Sequence, residues 1–149
     1  MQTALFWRPF CFASLIALWL PQGWAVSVLD YPPLYRELGL PEYPTATVTN
    51  LGRANESLAD GLSITLETAA SHSELRAFYE SRLEALGWTL QESIGMQRMR
   101  AAGMLEAVPF SGVFCKADDT GYTVHALDRA SYREVKLSVV AASASCSQP

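Results

Sequence analysis

Leu75, Phe78, Tyr79, Leu83 and Leu86 recur at i, i+3, i+4, i+8 and i+11, the spacing of one apolar stripe on an α-helix. Arg76, Glu80, Arg82 and Glu84 fall mainly on the other side, where charged pairs one turn apart support an exposed face. Ser71 with Glu74 three residues on reads as a capping box, each side chain satisfying an amide the helix leaves unpaired. Gly87 can adopt the left-handed conformation that stops a helix. The pattern predicts a helix from residue 71 that ends at Gly87 and runs straight into a strand at residues 88–92. Phe78, Tyr79 and Trp88 are expected in the core.

Elsewhere the period is two. In residues 62–68, Leu62, Ile64 and Leu66 alternate with Ser63, Thr65 and Glu67, the pattern of a half-buried strand. Residues 45–51 are β-rich and should pair with it as a hairpin, across a polar connection at residues 52–61. Residues 111–116 and 122–127 read as strands joined by the turn Asp118-Asp119-Thr120-Gly121. A last strand, residues 132–141, places Val135, Leu137 and Val139 on one face. Residues 94–109 are the least readable, as a short helix or a loop over a sheet edge.

The order is β-β-α-β-β-β-β. It predicts an α+β domain, with one mostly antiparallel sheet of five to six strands and one main helix on one face. Ahead of it, residues 28–44 hold Tyr31-Pro32 and Tyr43-Pro44, and proline excludes helix interior and central strand. They are expected to form an extended strap with buried tyrosine rings. The domain then spans residues 45–146, and residues 147–149 form a tail.

The first 27 residues change the compartment. Arg8 is followed by an uncharged apolar run at residues 9–20, then Pro21-Gln22-Gly23 and small residues. That is the layout of a secretory signal peptide, with cleavage expected near Ala25 or Ser27. The run is shorter than the roughly 20 residues that span a bilayer, so no stable membrane span is expected after cleavage. Cys11 leaves with the peptide. Of three cysteines, Cys115 and Cys146 remain, an even number suited to an oxidising compartment. A bridge between them would close a loop of about 30 residues and contribute on the order of 3–4 kcal/mol. The chain is acidic, with 15 Asp and Glu against 11 Lys and Arg, and becomes one unit more acidic when Arg8 is removed. Nucleic acid and anionic membranes call for basic surface, so neither is an expected partner.

Candidate chemistry is sparse. The two histidines, His72 and His125, come first as metal ligands or bases. A zinc site would need them to converge with a reduced Cys115. His72 is expected exposed beside the helix cap, and His125 on a solvent-facing strand position. Met96, Met99 and Met104 are weak Cu(I) candidates, with His125 a further weak metal candidate, but thioethers without Met-x-Met runs more often fill gaps. Asp118-Asp119 lacks the alternating acids and distal glutamate of a calcium loop. Neither a Gly-x-Ser-x-Gly elbow nor a phosphate-cradling glycine loop is present. No cofactor is expected, and the chain does not read as an enzyme.

Glu42-Tyr43-Pro44-Thr45-Ala46, a strand ending in Glu67-Thr68, a serine-rich cap and Phe78-Tyr79-x-x-x-Leu83-x-x-x-Gly87-Trp88 belong to one larger pattern. It resembles that of small uncharacterised exported or lipid-anchored bacterial proteins with Tyr-Pro-x-Ala followed by Phe-Tyr-x-x-x-Leu-x-x-x-Gly-Trp. The likeness covers residues 42–51 and 62–92. It implies an exported α+β domain and carries no activity. The chain departs from it in having Thr45 where glycine is usual, and in lacking a lipobox cysteine. The expected function is a non-catalytic periplasmic or secreted domain that binds a protein or envelope component. The alternative is a small-ligand or Cu(I)-binding exported protein.

Overall fold

A computed structural model of the chain describes residues 29–52, 62–141 and 143–146. The expected signal peptide with Ala25 and Ser27, most of the 52–61 connection and the tail at 147–149 lie outside the described residues. Strands β1 (Thr47–Gly52) and β2 (Leu62–Thr68) precede the main helix α2 (His72–Ala85), after a short α1 (Pro33–Glu37) in the strap. Then come β3 (Thr89–Gln91), α3 (Ile94–Ala101), a 3-10 turn (Leu105–Ala107), β4 (Ser111–Cys115), β5 (Gly121–Asp128) and β6 (Arg133–Val140). The six strands form one antiparallel sheet in the order β1-β2-β6-β5-β4-β3. β1 and β3 are its two ends.

Alternation sorts the two faces. Ile64 and Leu66, Phe114, Tyr122, Val124 and Ala126, and Val135, Leu137 and Val139 point inward and are buried. From α2, Leu75, Tyr79 and Leu83 meet them, each fully buried. The capping box forms as its spacing requires: Glu74 N donates to Ser71 Oγ at 3.2 Å and Ser71 N to Glu74 Oε2 at 2.7 Å. At the other end Gly87, at φ +79°, lets its own amide reach Glu84 O and the Trp88 amide reach Leu83 O, closing the last turn.

Two positions on α2 depart from the expected stripe. Leu86 is 44% exposed, because it is the C-cap and the chain is already turning out through Gly87. Arg76, placed by the pattern on the solvent side, is only 7% exposed.

The strap is tied down by phenols. The Tyr35 hydroxyl donates to Pro41 O at 2.8 Å and lies 2.8 Å from the Tyr122 hydroxyl. One hydroxyl carries one proton, so Tyr122 is the donor in that second contact. Tyr43 N donates to Tyr31 Oη, and the Tyr43 ring packs edge-on against half-buried Phe78 with centroids 4.8 Å apart. Arg36 spans Asp30 and Glu42 on the strap's outer side.

On the face away from α2, Cys115 and Cys146 form a disulfide with Cα atoms 5.5 Å apart. It seats residues 143–146 over Gly121, the cross-strand neighbour of Cys115. Ser143 N donates to Asp119 O at 2.8 Å as the tail crosses.

Candidate functional site

The space between α2 and the sheet is filled by Tyr79, Leu83, Phe114 and Tyr122, so the described concavities lie at the surface. One cleft of about 480 Å³ gathers polar groups from three elements. α2 supplies Glu80 and Glu84, the β3 segment supplies Trp88, Thr89, Leu90 and Glu92, and α3 supplies Gln97 and Arg100, with Phe114 beneath. Successive strand residues face opposite sides of the pleat, so a cleft lined by Thr89 and Leu90 together runs past the outer side of β3. That side has no strand partner among the described residues.

The wall opposite α2 is α3, which resolves the ambiguous stretch as a helix. Ser93 caps it, its Oγ accepting from Met96 N, and Gly103 at φ +69° ends it. None of its residues is buried. Arg100 holds it in place: Nη2 and Nη1 donate to the two oxygens of Glu80 at 2.7 and 3.1 Å, and Nη2 and Nε donate to Glu92 Oε1 at 2.6 and 2.9 Å. The bonds to Glu80, then those to Glu92, hold this guanidinium even more firmly protonated than usual. Among the described residues Glu84 has no ion pair, so negative charge stays in excess: three carboxylates meet two guanidiniums, Arg100 in the cleft and Arg76 4.0 Å from Glu80 on the α2 side. Trp88 is buried with Lys116 Nζ 4.9 Å from its ring centroid, and its indole N–H has no acceptor among the described residues.

Beyond α3, Arg76 fixes the chain. Its Nη1 and Nη2 donate to Leu105 O at 2.5 Å and Val108 O at 3.0 Å, and its guanidinium lies 5.5 Å from the Phe110 ring centroid. Arg76 is buried because these two carbonyls satisfy it.

The candidates read from sequence do not converge. His125 projects from the sheet face away from α2, where Nδ1 lies 2.7 Å from Ser111 Oγ. Cys115 is consumed by the disulfide. Met96 is half-buried on α3, while Met99 and Met104 are exposed there and just beyond. Among the described residues no group of three or more His, Cys, Asp or Glu is placed to hold a metal ion. His72 differs from expectation: its side chain is only 13% exposed. Its Nδ1 accepts from Phe110 N at 3.1 Å, which leaves Nε2 to carry the proton toward Asp128 Oδ2 at 3.2 Å. Asp128 in turn accepts from Arg133, which also donates to Ala70 O. This chain of bonds ties the start of α2 to the β5–β6 hairpin.

Glu80, Glu92 and Arg100 were not legible as a site, since Arg100 meets partners 20 and 8 residues away in no recognisable spacing. Comparisons of the chain with protein families, with curated proteins and with solved structures find no match.

Proposed function

We propose that the chain is a non-catalytic exported domain that binds an extended segment of a partner protein along β3, with a basic side chain of that segment in the adjoining cleft. The observation that carries this reading is the conjunction of an end strand without an outer neighbour among the described residues and a cleft beside it whose three carboxylates outnumber the two guanidiniums that meet them, Arg100 and Arg76. In an antiparallel sheet alternate residues of an end strand point N–H and C=O outward, and an added strand satisfies them. The other end is less suited: Leu29 already bridges Val48 on β1, and β1 carries a bulge between Val48 and Asn50. The signal-peptide layout and the Cys115–Cys146 bridge support a periplasmic or extracellular setting. No helix among the described residues is long and apolar enough to cross a membrane. A second reading, a small ligand in the same cleft, is favoured by its volume, which falls within the roughly 300–1,000 Å³ of small-molecule sites.

The test is titration of the isotope-labelled, oxidised protein with extended peptides carrying lysine and arginine, against matched peptides carrying glutamate. Amide shifts over residues 80–92 that extend into α3 as far as residue 101, with the basic set alone, are expected. Glu84→Lys, which disturbs no ion pair among the described residues, should weaken binding about 2–5-fold, the range of an exposed charge pair. Shifts mapping elsewhere, or equal response to both peptide sets, overturn the reading.

A further inference from the structure

Helix α3 is an anomaly in this fold: it has eight residues and buries none of them. Isolated helices below about 12–15 residues are marginal in water, so α3 depends on its attachments. Two are local, the Ser93 cap and the bond from Gln97 Nε2 to Glu92 O. At its far end, the bonds from Arg76 to Leu105 O and Val108 O fix the following turn, rather than α3 itself, to α2. The remaining attachment is Arg100, the one α3 side chain bonded to α2 among the described residues. Its two acceptors, Glu80 and Glu92, both line the cleft.

We infer that α3 is a movable wall of the cleft, latched by Arg100. The groups facing the latch are Glu80, Glu84 and Glu92, with Arg76 Nε 4.0 Å from Glu80 Oε1 on the α2 side. A lysine or arginine arriving in the cleft competes with Arg100 for those carboxylates. Displacing it frees α3 to swing away and widens access to Leu90 and Phe114. The coupling to a partner rests on the reading above; the latch itself does not.

Amide hydrogen exchange over residues 94–101 in the full oxidised chain tests it. Arg100→Gln should speed exchange there about tenfold or more and leave β5 and β6 unchanged, with Arg100→Lys in between. In about 1 M salt, where the Debye length shrinks to about 3 Å, the wild type should move toward the variant while Arg100→Gln barely responds. Basic peptide added to the wild type should likewise loosen α3. Exchange of α3 that is unaffected by Arg100→Gln and by salt overturns the latch, as does an equal rise throughout the chain. Loosening by Arg100→Gln without any effect of peptide upholds the latch and removes the peptide partner.

Discussion

A Cβ placed on Gly121 would stand 2.5 Å from Cβ of Ser143 and 2.7 Å from its Oγ. Glycine is therefore required at this point in β5 by the tail that the disulfide lays across it, not by backbone conformation. Gly121→Ala should destabilise the oxidised protein by about 1–3 kcal/mol, the range for overpacking, measured by urea unfolding. In a Cys146→Ser background the tail can lift away and the same substitution should cost much less. Equal costs in both backgrounds would show that the disulfide is not what holds the tail against Gly121.

Loss of the disulfide should itself be felt. Its cysteines are 31 residues apart in sequence. Cys115→Ser with Cys146→Ser should lower stability by about 3–4 kcal/mol in the chain-entropy account, with near-native far-ultraviolet circular dichroism retained. A shift under 1 kcal/mol, on the order of a single hydrogen bond, would mean the tail is held equally well without the bridge.

Arg76 offers a sharper contrast. Arg76→Leu removes the Nη2 donor from Val108 O and leaves Leu105 O with the Val108 amide, and should cost about 1.5–3 kcal/mol. Arg76→Lys should recover little, because one ammonium does not reproduce the fork that spans two carbonyls. Chemical denaturation of the two variants decides the point, and full recovery by lysine would reduce the role of Arg76 to its charge.

The tyrosine core sets the alkaline limit. Burial pushes the Tyr31 phenol up to about 12 from 10.0, and burial likewise raises Tyr35, Tyr79 and Tyr122 well above 10.0. A raised folded-state value contributes stability that is whole below pH 10.0 and is lost as pH climbs toward and past about 12. Phenolate absorbance from these residues should accordingly appear together with loss of ellipticity. Ionisation of all the tyrosines before unfolding would contradict the buried cluster.

At the acid end the sign reverses. The hydrogen bond from His72, and next that from Arg133, hold the Asp128 carboxyl below its ordinary 3.8. Its contribution is present above pH 3.8 and is lost as pH falls through the depressed value. Asp128→Asn should flatten the acid limb of the stability curve, and an unchanged limb would assign acid sensitivity to other carboxylates.

Local signals were legible in the chain, and long-range polar partners were not. The α2 stripe, its capping box and Gly87 are short-range and redundant, and Cys115 and Cys146 pair because no third cysteine competes after residue 11. The sequence pattern places Arg76 and His72 toward solvent because their partners, Leu105, Val108 and Phe110, lie 29–38 residues away. For α3 the cap Ser93 and the stop Gly103 were present in the sequence, but no apolar stripe lies between them. A helix held by one arginine leaves no hydrophobic period to read.

The most direct measurement is amide exchange at Thr89, Leu90 and Gln91 in the oxidised protein, with and without a bound basic peptide. Strand addition along β3 predicts that outward-pointing amides of these residues gain protection while those of β1 do not change. Protection gained at β1 or on the open face around His125, with β3 unaffected, would contradict it.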